Sequence, residues 1–344
     1  MAMTIVTIAE ALGLSKSTVS RALSGKGRIG EATKRRVYDY IESHEPESEL
    51  LKSPKAKRKT YNIGVAIPTF SDAIHLPFFQ RCLLGACDFA QSVEYNVLVV
   101  GIDNDKIQPL ERLIKDKKVD GIILTRALVD DRGIRFLKKK DIPYIVVGSV
   151  EDKDVYQIDS DNRSGSKELT SYLYMVGMKK VGLIGGHRNH QVTLDRYEGF
   201  LDGVKAAGKQ VDDTIIYLDA LTDIAIHQGV KQMIRKGADC IVCMDDYICS
   251  RVLKELREVE ETQVAVATLY DTGDEVFDGT SVFSLRYDPN ELGLEAAKLL
   301  FNLINNKPVN KRTKLGYEVI LRKSNKKSRK EDNDEEKVPT WRRL

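Results

Sequence analysis

The sequence predicts an α/β protein that opens with an all-α segment and continues into a larger region of mainly parallel sheet. Three observations carry that expectation. Apolar residues in the first 43 positions recur at helical spacing, whereas from Tyr61 to about Arg322 short β-rich runs alternate with helical patterns. Between them the chain loses its apolar periodicity. A length of 344 residues with 42% hydrophobic and 31% charged side chains exceeds the usual size of one domain and can bury a full core.

Residues 1–43 read as three short helices. Ala9, Ala11, Leu12 and Leu14 supply the first apolar face, Val19, Ala22 and Leu23 the second, and Val37, Tyr38 and Ile41 the third. Gly13 and the Gly25 and Gly27 pair mark the turns between them. Residues 44–60 read as a linker, since they hold Pro46, Pro54 and the basic run Lys55 to Lys59. Strands are then expected at Asn62 to Ile67, Asn96 to Gly101, Gly121 to Leu124, Tyr144 to Gly148, Val181 to Gly185, Cys240 to Met244 and Val264 to Ala267. Strands separated by helical patterns imply βα units with helices on both faces of the sheet. Residues 324–344 are packed with charge and are expected to form a disordered tail, to which no function is assigned.

The densest information lies between Thr7 and Leu23. Ala9 is small, as two closely crossing helices require, and Ser15 stands where an N-cap would satisfy the orphan N–H groups of the second helix. On that helix Val19 and Leu23 face inward, leaving Lys16, Ser17, Ser20 and Arg21 outside as donors that can reach base edges and phosphates in a major groove. The net charge of the chain is only +3, which carries no nucleic-acid signal. Its distribution does: between Ser15 and Arg36 the bases Lys16, Arg21, Lys26, Arg28, Lys34, Arg35 and Arg36 meet a single acid, Glu31. A solvated basic face would show the same charge pattern, so the charge alone does not decide.

This segment resembles the headpiece of the LacI family of bacterial repressors, whose Ser-rich recognition helix is matched by Thr18-Val-Ser-Arg21, with the match continuing from Ile29 to Val37. The resemblance implies that Lys16, Ser17 and Arg21 read bases, and that Thr4, Ser15, Thr18, Ser20, Ser24, Arg28 and Thr33 contact or position the backbone. The chain departs from the family at the hinge that normally follows. Family members carry Tyr-x-Pro-Asn-x-x-Ala-x-x-Leu there, a helix that places an apolar wedge in the minor groove. Here Pro46 matches, but the Asn, Ala and Leu positions hold Glu47, Leu50 and Ser53. Either Leu50 or Leu51 serves as a shifted wedge, or the hinge folds differently and affinity rests on the headpiece and the Lys-rich linker.

The resemblance extends over residues 61–323 and implies a type I periplasmic-binding-protein-like domain of two lobes, responsible for effector binding and dimerisation. Lobe 1 would comprise about 61–159 and 288–314, lobe 2 about 160–287 and 315–323, with crossings near Asp159, Tyr287 and Leu315. Open α/β sheets bind ligands at the carboxyl ends of their strands. Candidate effector contacts follow from that rule and the family pattern: Ser71, Asp72, Phe78 and Phe79 after the first strand, Arg126 and Ser149 after later ones. In the second lobe, Arg196 matches an arginine that forks onto ligand hydroxyls or carboxylates. Asp245 replaces an amide, and Tyr270 with Asp271 occupies an Asp-Asp slot. Each of these polar residues could instead cap a helix or form a surface ion pair.

Other function classes lack their signatures. The apolar runs are too short to span a bilayer, and no leader pattern opens the chain, which makes a solute receptor for a transporter a poor fit and a cytoplasmic location the expectation. Five cysteines show neither a disulfide framework nor a zinc site; Cys240 and Cys243 fall on a buried strand, three residues apart and on opposite faces. No phosphate-cradling glycine motif is present, and His187 and His190 have no acidic partner pattern, so neither an enzyme, a cofactor nor a metal is expected. The sequence thus points to a homodimeric transcription regulator, a repressor of carbohydrate-uptake or catabolic genes. Its partners would be double-stranded operator DNA and a small effector such as a sugar, sugar acid or sugar phosphate. No membrane is involved in this reading.

Overall fold

The computed structural model describes residues 3–25, 27–45, 48, 50, 59–69, 77–260, 263–273, 282–321 and 336–338. The chain forms two compact units, residues 1–59 and 60–344.

In the first unit, helices α1 (Ile5–Leu12), α2 (Lys16–Ser24) and α3 (Glu31–His44) enclose Ile8, Ala9, Val19, Ala22, Leu23, Val37 and Ile41. Local chemistry sets the boundaries. Thr4 and Thr7 form a reciprocal capping box at the start of α1, and Gly13 ends it at φ 65°, a left-handed conformation that costs glycine little. Ser15 then caps α2 by accepting from Thr18 N at 3.0 Å, and Gly25 closes it, again left-handed at φ 68°. Leu50 is half-buried against this core. The other hinge positions, Pro46, Glu47, Leu51 and Ser53, lie outside the described residues.

The second unit alternates strand and helix. Its first part runs β1 (Asn62–Pro68), α4 (Pro77–Ser92), β2 (Asn96–Ile102), α5 (Gln108–Lys115), β3 (Gly121–Leu124), α6 (Arg132–Lys138), β4 (Tyr144–Val147) and β5 (Gln157–Ser160). There follow α7 (Asn162–Met175), β6 (Val181–Ile184), α8 (Gln191–Ala206), β7 (Ile216–Tyr217), α9 (Asp223–Arg235), β8 (Cys240–Cys243), α10 (Asp246–Glu258), β9 (Ala265–Asp271) and β10 (Phe283–Arg286). The chain ends with α11 (Pro289–Ile304), β11 (Arg312–Leu315), β12 (Glu318–Leu321) and β13 (Glu336–Val338).

These strands build two sheets, ordered β11-β5-β4-β3-β1-β2 and β13-β12-β10-β9-β8-β6-β7. The first is parallel throughout, and in the second only β12 and β13 run antiparallel to their neighbours. The chain passes between the sheets three times: from β5 into α7, from β10 into α11, and from β11 into β12. Each sheet is covered by apolar clusters on both faces, which is why its central strands β3, β6 and β8 are buried at every position. Cys240 and Cys243 illustrate the pleat: both are fully buried, one in each of the two clusters flanking β8.

Helices α4 and α11 approach unusually closely. A Cβ on Gly85 would lie 1.9 Å from the Asn290 carbonyl oxygen, and one on Gly293 would lie 1.9 Å from that of Cys82. Two glycines facing opposite backbones therefore set this helix spacing.

All seven expected strands are present. The additional β5, β7, β10, β11 and β12 are two to four residues long, too short for periodicity to separate from loop. Within residues 324–344, whose composition predicts disorder, Glu336–Val338 pair with β12, Val319 opposite Val338 and Leu321 opposite Glu336. Without that pairing β12 would leave a row of free N–H and C=O groups at the sheet edge.

Candidate functional site

Helix α2 divides its residues cleanly. Val19, Ala22 and Leu23 are buried, whereas Lys16, Ser17, Ser20 and Arg21 are exposed. The Ser15 hydroxyl is shared among Thr18 N, Ser17 Oγ at 2.8 Å and Thr18 Oγ1 at 2.7 Å, which orients the hydroxyls of the first turn. Thr4 spends its hydroxyl on capping α1. Arg28 is exposed, and Ser24 and Thr33 are half-buried. Arg36 sits nearby with Nη2 donating to Leu12 O at 3.2 Å. The unit thus displays a basic, hydroxyl-rich helix face held by a small apolar core.

In the second unit a cavity of about 490 Å³ lies between the two sheets. Residues just beyond the carboxyl ends of parallel strands dominate its lining: Asp103 and Asn104 after β2, Thr125 and Arg126 after β3, and Gly148 after β4. His187 after β6 and Asp245 after β8 face them from the other lobe. A backbone bridge joins the two walls. Val129 N donates to Asn189 O at 2.9 Å and Gln191 N to Ala127 O at 3.1 Å, pairing Leu128 with His190.

Of the effector residues expected from the sequence, Phe78, Phe79, Arg126, Arg196, Asp245 and Tyr270 line this cavity. Phe78 and Phe79 meet edge to face at 5.1 Å. Arg196 is only 8% exposed; its Nε donates to Asn162 Oδ1 at 3.0 Å and its Nη1 to Met244 O at 2.8 Å. Tyr270 packs in parallel on Tyr287, ring centroids 5.5 Å apart. Asp245 also caps α10, accepting from Ile248 N at 2.8 Å.

Ser149 and Asp271 are not brought to the cavity wall. The Ser149 hydroxyl donates to Asp195. Asp271 is 1% exposed and accepts from Ser284 Oγ at 2.8 Å and Gly273 N at 2.7 Å, with Arg286 at 3.6 Å. Ser71 and Asp72 lie outside the described residues.

Several lining residues are absent from the sequence-based set: Asp103, Asn104, Asp159, Asn162, Asp246, His187, His190 and Tyr247. Asp103 and Asn104 follow directly on β2, so the strand-end rule is a signal that could have found them. The two histidines show no acidic partner nearby in sequence, because Asp219, 3.6 Å from His187, comes from far along the chain. Their rings stack at 5.5 Å.

Burial governs the electrostatics. It raises the Asp159 carboxyl to about 6, with the like charge of Asp195 adding to the effect, and it raises Asp245 as well. Burial, then Arg126, then His187 push His190 down to about 4, so its ring is neutral at pH 7. Among the described residues no group of three or more His, Cys, Asp or Glu side chains is arranged to hold a metal ion. No described helix is long and apolar enough to cross a membrane.

Comparison with known proteins agrees with this geometry. Residues 4–45 match the family described as bacterial regulatory proteins, lacI family, and residues 62–328 match periplasmic binding proteins and sugar binding domain of LacI family. The HTH-type transcriptional regulator RegA of Clostridium saccharobutylicum is 26% identical over 335 residues, covering 94% of this chain and 99% of that protein. The HTH-type transcriptional regulator MalR of Streptococcus pneumoniae is 28% identical over 220 residues, covering 63% of this chain and 67% of that protein. Among solved structures, the transcriptional regulator CelR in complex with cellobiose shares the fold with a TM-score of 0.69 at 22% identity, covering 93% of this chain and 98% of that one.

Proposed function

The chain belongs to the LacI family of bacterial regulatory proteins and is a transcriptional regulator with that family's sugar-binding domain; from this premise we propose that it is a cytoplasmic, homodimeric repressor of carbohydrate-uptake or catabolic genes. It binds operator DNA through α2 and is released or recruited by a sugar or sugar derivative held between its lobes. It is not an enzyme.

The observation that carries the DNA-binding half is the division of α2, in which Lys16, Ser17, Ser20 and Arg21 are all exposed while the opposite face is buried. Arg21 is suited to a guanine edge and the hydroxyls to either bases or phosphates. One headpiece covers a half-site, so a two-fold pair on a pseudo-palindromic operator doubles the phosphate contacts. Names of relatives and neighbours support the carbohydrate half: MalR is one relative, and a CelR–cellobiose complex shares the fold. A ligand that contacts both walls of the cavity favours one angle between the lobes, and that differential affinity is the coupling an allosteric regulator needs.

The test is fluorescence anisotropy with promoter fragments of carbohydrate operons from the source genome, at two salt concentrations and with or without added sugars. The reading expects sequence-preferring binding that weakens with salt and changes with one class of sugar. Binding that shows no preference for any fragment overturns it.

A further inference from the structure

Resting on the reading of the cavity as an effector site, we propose that this cleft selects an uncharged saccharide and discriminates against sugar phosphates and uronic acids. The two arginines in the cavity suggest anion recognition at first sight, but Arg196 is held by its neighbours and the charge of Arg126 is offset by nearby acids. Arg196 is committed on three sides: to Asn162, to the Met244 carbonyl, and to the Tyr270 ring, whose centroid lies 5.0 Å from its guanidinium carbon. Arg126 has Asp103 at 3.9 Å, and Asp131 also acts on its charge.

The lining is negative in sum. Asp103, Asp159, Asp245 and Asp246 all border the cavity, against the guanidiniums of Arg126 and Arg196. His190 is neutral, held low by burial. Even a charged His187, half-exposed beside Asp219, leaves more carboxylates than cations. Burial raises the Asp159 and Asp245 carboxyls, so this is a setting in which negative charge is costly. A phosphate or uronate placed among them would add a like charge at low dielectric, which opposes binding.

An uncharged polyol meets the same groups on favourable terms. Arg126 Nε is buried and makes no hydrogen bond within the described residues, so it offers a directed donor to a ring or hydroxyl oxygen. The carboxylates accept hydroxyl protons, as charge-assisted hydrogen bonds. Tyr270 already packs against Tyr287 and Arg196, which leaves Phe78 and Phe79 as the apolar platform for a sugar ring.

The experiment is isothermal titration calorimetry of the full-length protein with matched probes. Glucose, xylose, maltose and cellobiose are set against glucose 6-phosphate, maltose 6-phosphate and glucuronate, with Asp103→Asn as the variant. Asp103 is nearly half exposed at the rim, so its replacement should not disturb the fold. At least one uncharged sugar is expected to bind, its charged counterpart at least about tenfold more weakly, and Asp103→Asn should narrow that gap. Anionic sugars binding as tightly as neutral ones, or a gap that Asp103→Asn leaves unchanged, would overturn the selectivity while the saccharide reading stood. A panel in which no sugar of either class binds overturns both.

Discussion

Arg196 on α8 lies against the face of Tyr270 at the end of β9, with 5.0 Å between the guanidinium carbon and the ring centroid. The same guanidinium ties α8 to the start of α7 through Asn162 and to the strand end at Met244. One side chain thus holds together three of the segments that form the second-lobe wall, so its removal has both structural and binding consequences.

Arg196→Ala leaves the Asn162 amide oxygen and the Met244 carbonyl without these donors in a buried setting. A loss of about 1–3 kcal/mol in unfolding free energy is expected, together with loss of any sugar-induced rise in melting temperature. Arg196→Lys should restore little, because a point charge cannot reproduce the fork. Urea denaturation and thermal shift on the three proteins check this; a variant as stable and as responsive as the parent contradicts it.

The pH dependence of stability should contain two opposed contributions. The Asp159 carboxyl is raised from 3.8 to about 6, so the stabilisation from holding its proton is full below about 3.8 and lost as pH rises towards 6. His190 is lowered from 6.5 to about 4, so the stabilisation from its neutral ring is full above 6.5 and lost as pH falls towards 4. Each is on the order of 3 kcal/mol, and between pH 4 and 6 they largely offset one another. Asp159→Asn should therefore steepen the loss of stability on acidification, and His190→Gln should reverse it. Denaturation curves at pH 4.5, 5.5 and 6.5 decide; variants whose profiles run parallel to the parent would refute the assignment.

On α2, Arg21→Ala removes an exposed side chain and should leave the melting temperature unchanged while weakening operator binding by about 1–3 kcal/mol. Ser15→Ala, by contrast, deletes the cap on Thr18 N and should cost the first unit about 1 kcal/mol of stability. Anisotropy combined with thermal melts separates the two effects. Equal losses of stability in both variants would contradict the division of the helix into a packed and a displayed face.

Gly85→Ala and Gly293→Ala place a methyl group 1.9 Å from a backbone oxygen of the opposing helix. Because the obstacle is main chain, α4 and α11 must separate, and a loss of about 3 kcal/mol or more is expected for either. The shift of the urea midpoint measures it. A change within about 0.5 kcal/mol, typical of a neutral surface position, would mean that the helices are not in such close contact.

What the sequence determines by itself is local. Helical and strand periodicity, the Ser15 cap and the left-handed turn at Gly13 depend on neighbours a few residues away, so α1 to α3 and the longer strands are legible in the order of the residues alone. The displayed face of α2 is legible for the same reason, since burial of Val19 and Leu23 fixes which side chains remain outside.

The cleft is decided by tertiary structure. The strand-end rule names a set of positions but cannot sort them: Arg126 faces the cavity, whereas Ser149, at an equivalent strand end, is taken up by Asp195 from the other lobe, and Asp271 by Ser284 and Arg286. The partners that make this choice lie 46 and 13 residues away for Ser149 and Asp271. Likewise, the two arginines suggest anion recognition until the fold brings Asn162 and the Met244 carbonyl to Arg196, and Asp103, 3.9 Å away, to offset the charge of Arg126. Local conformation depends on residues near in sequence, but the charge and hydrogen-bonding capacity of a cavity depend on what packing brings there from distant parts of the chain.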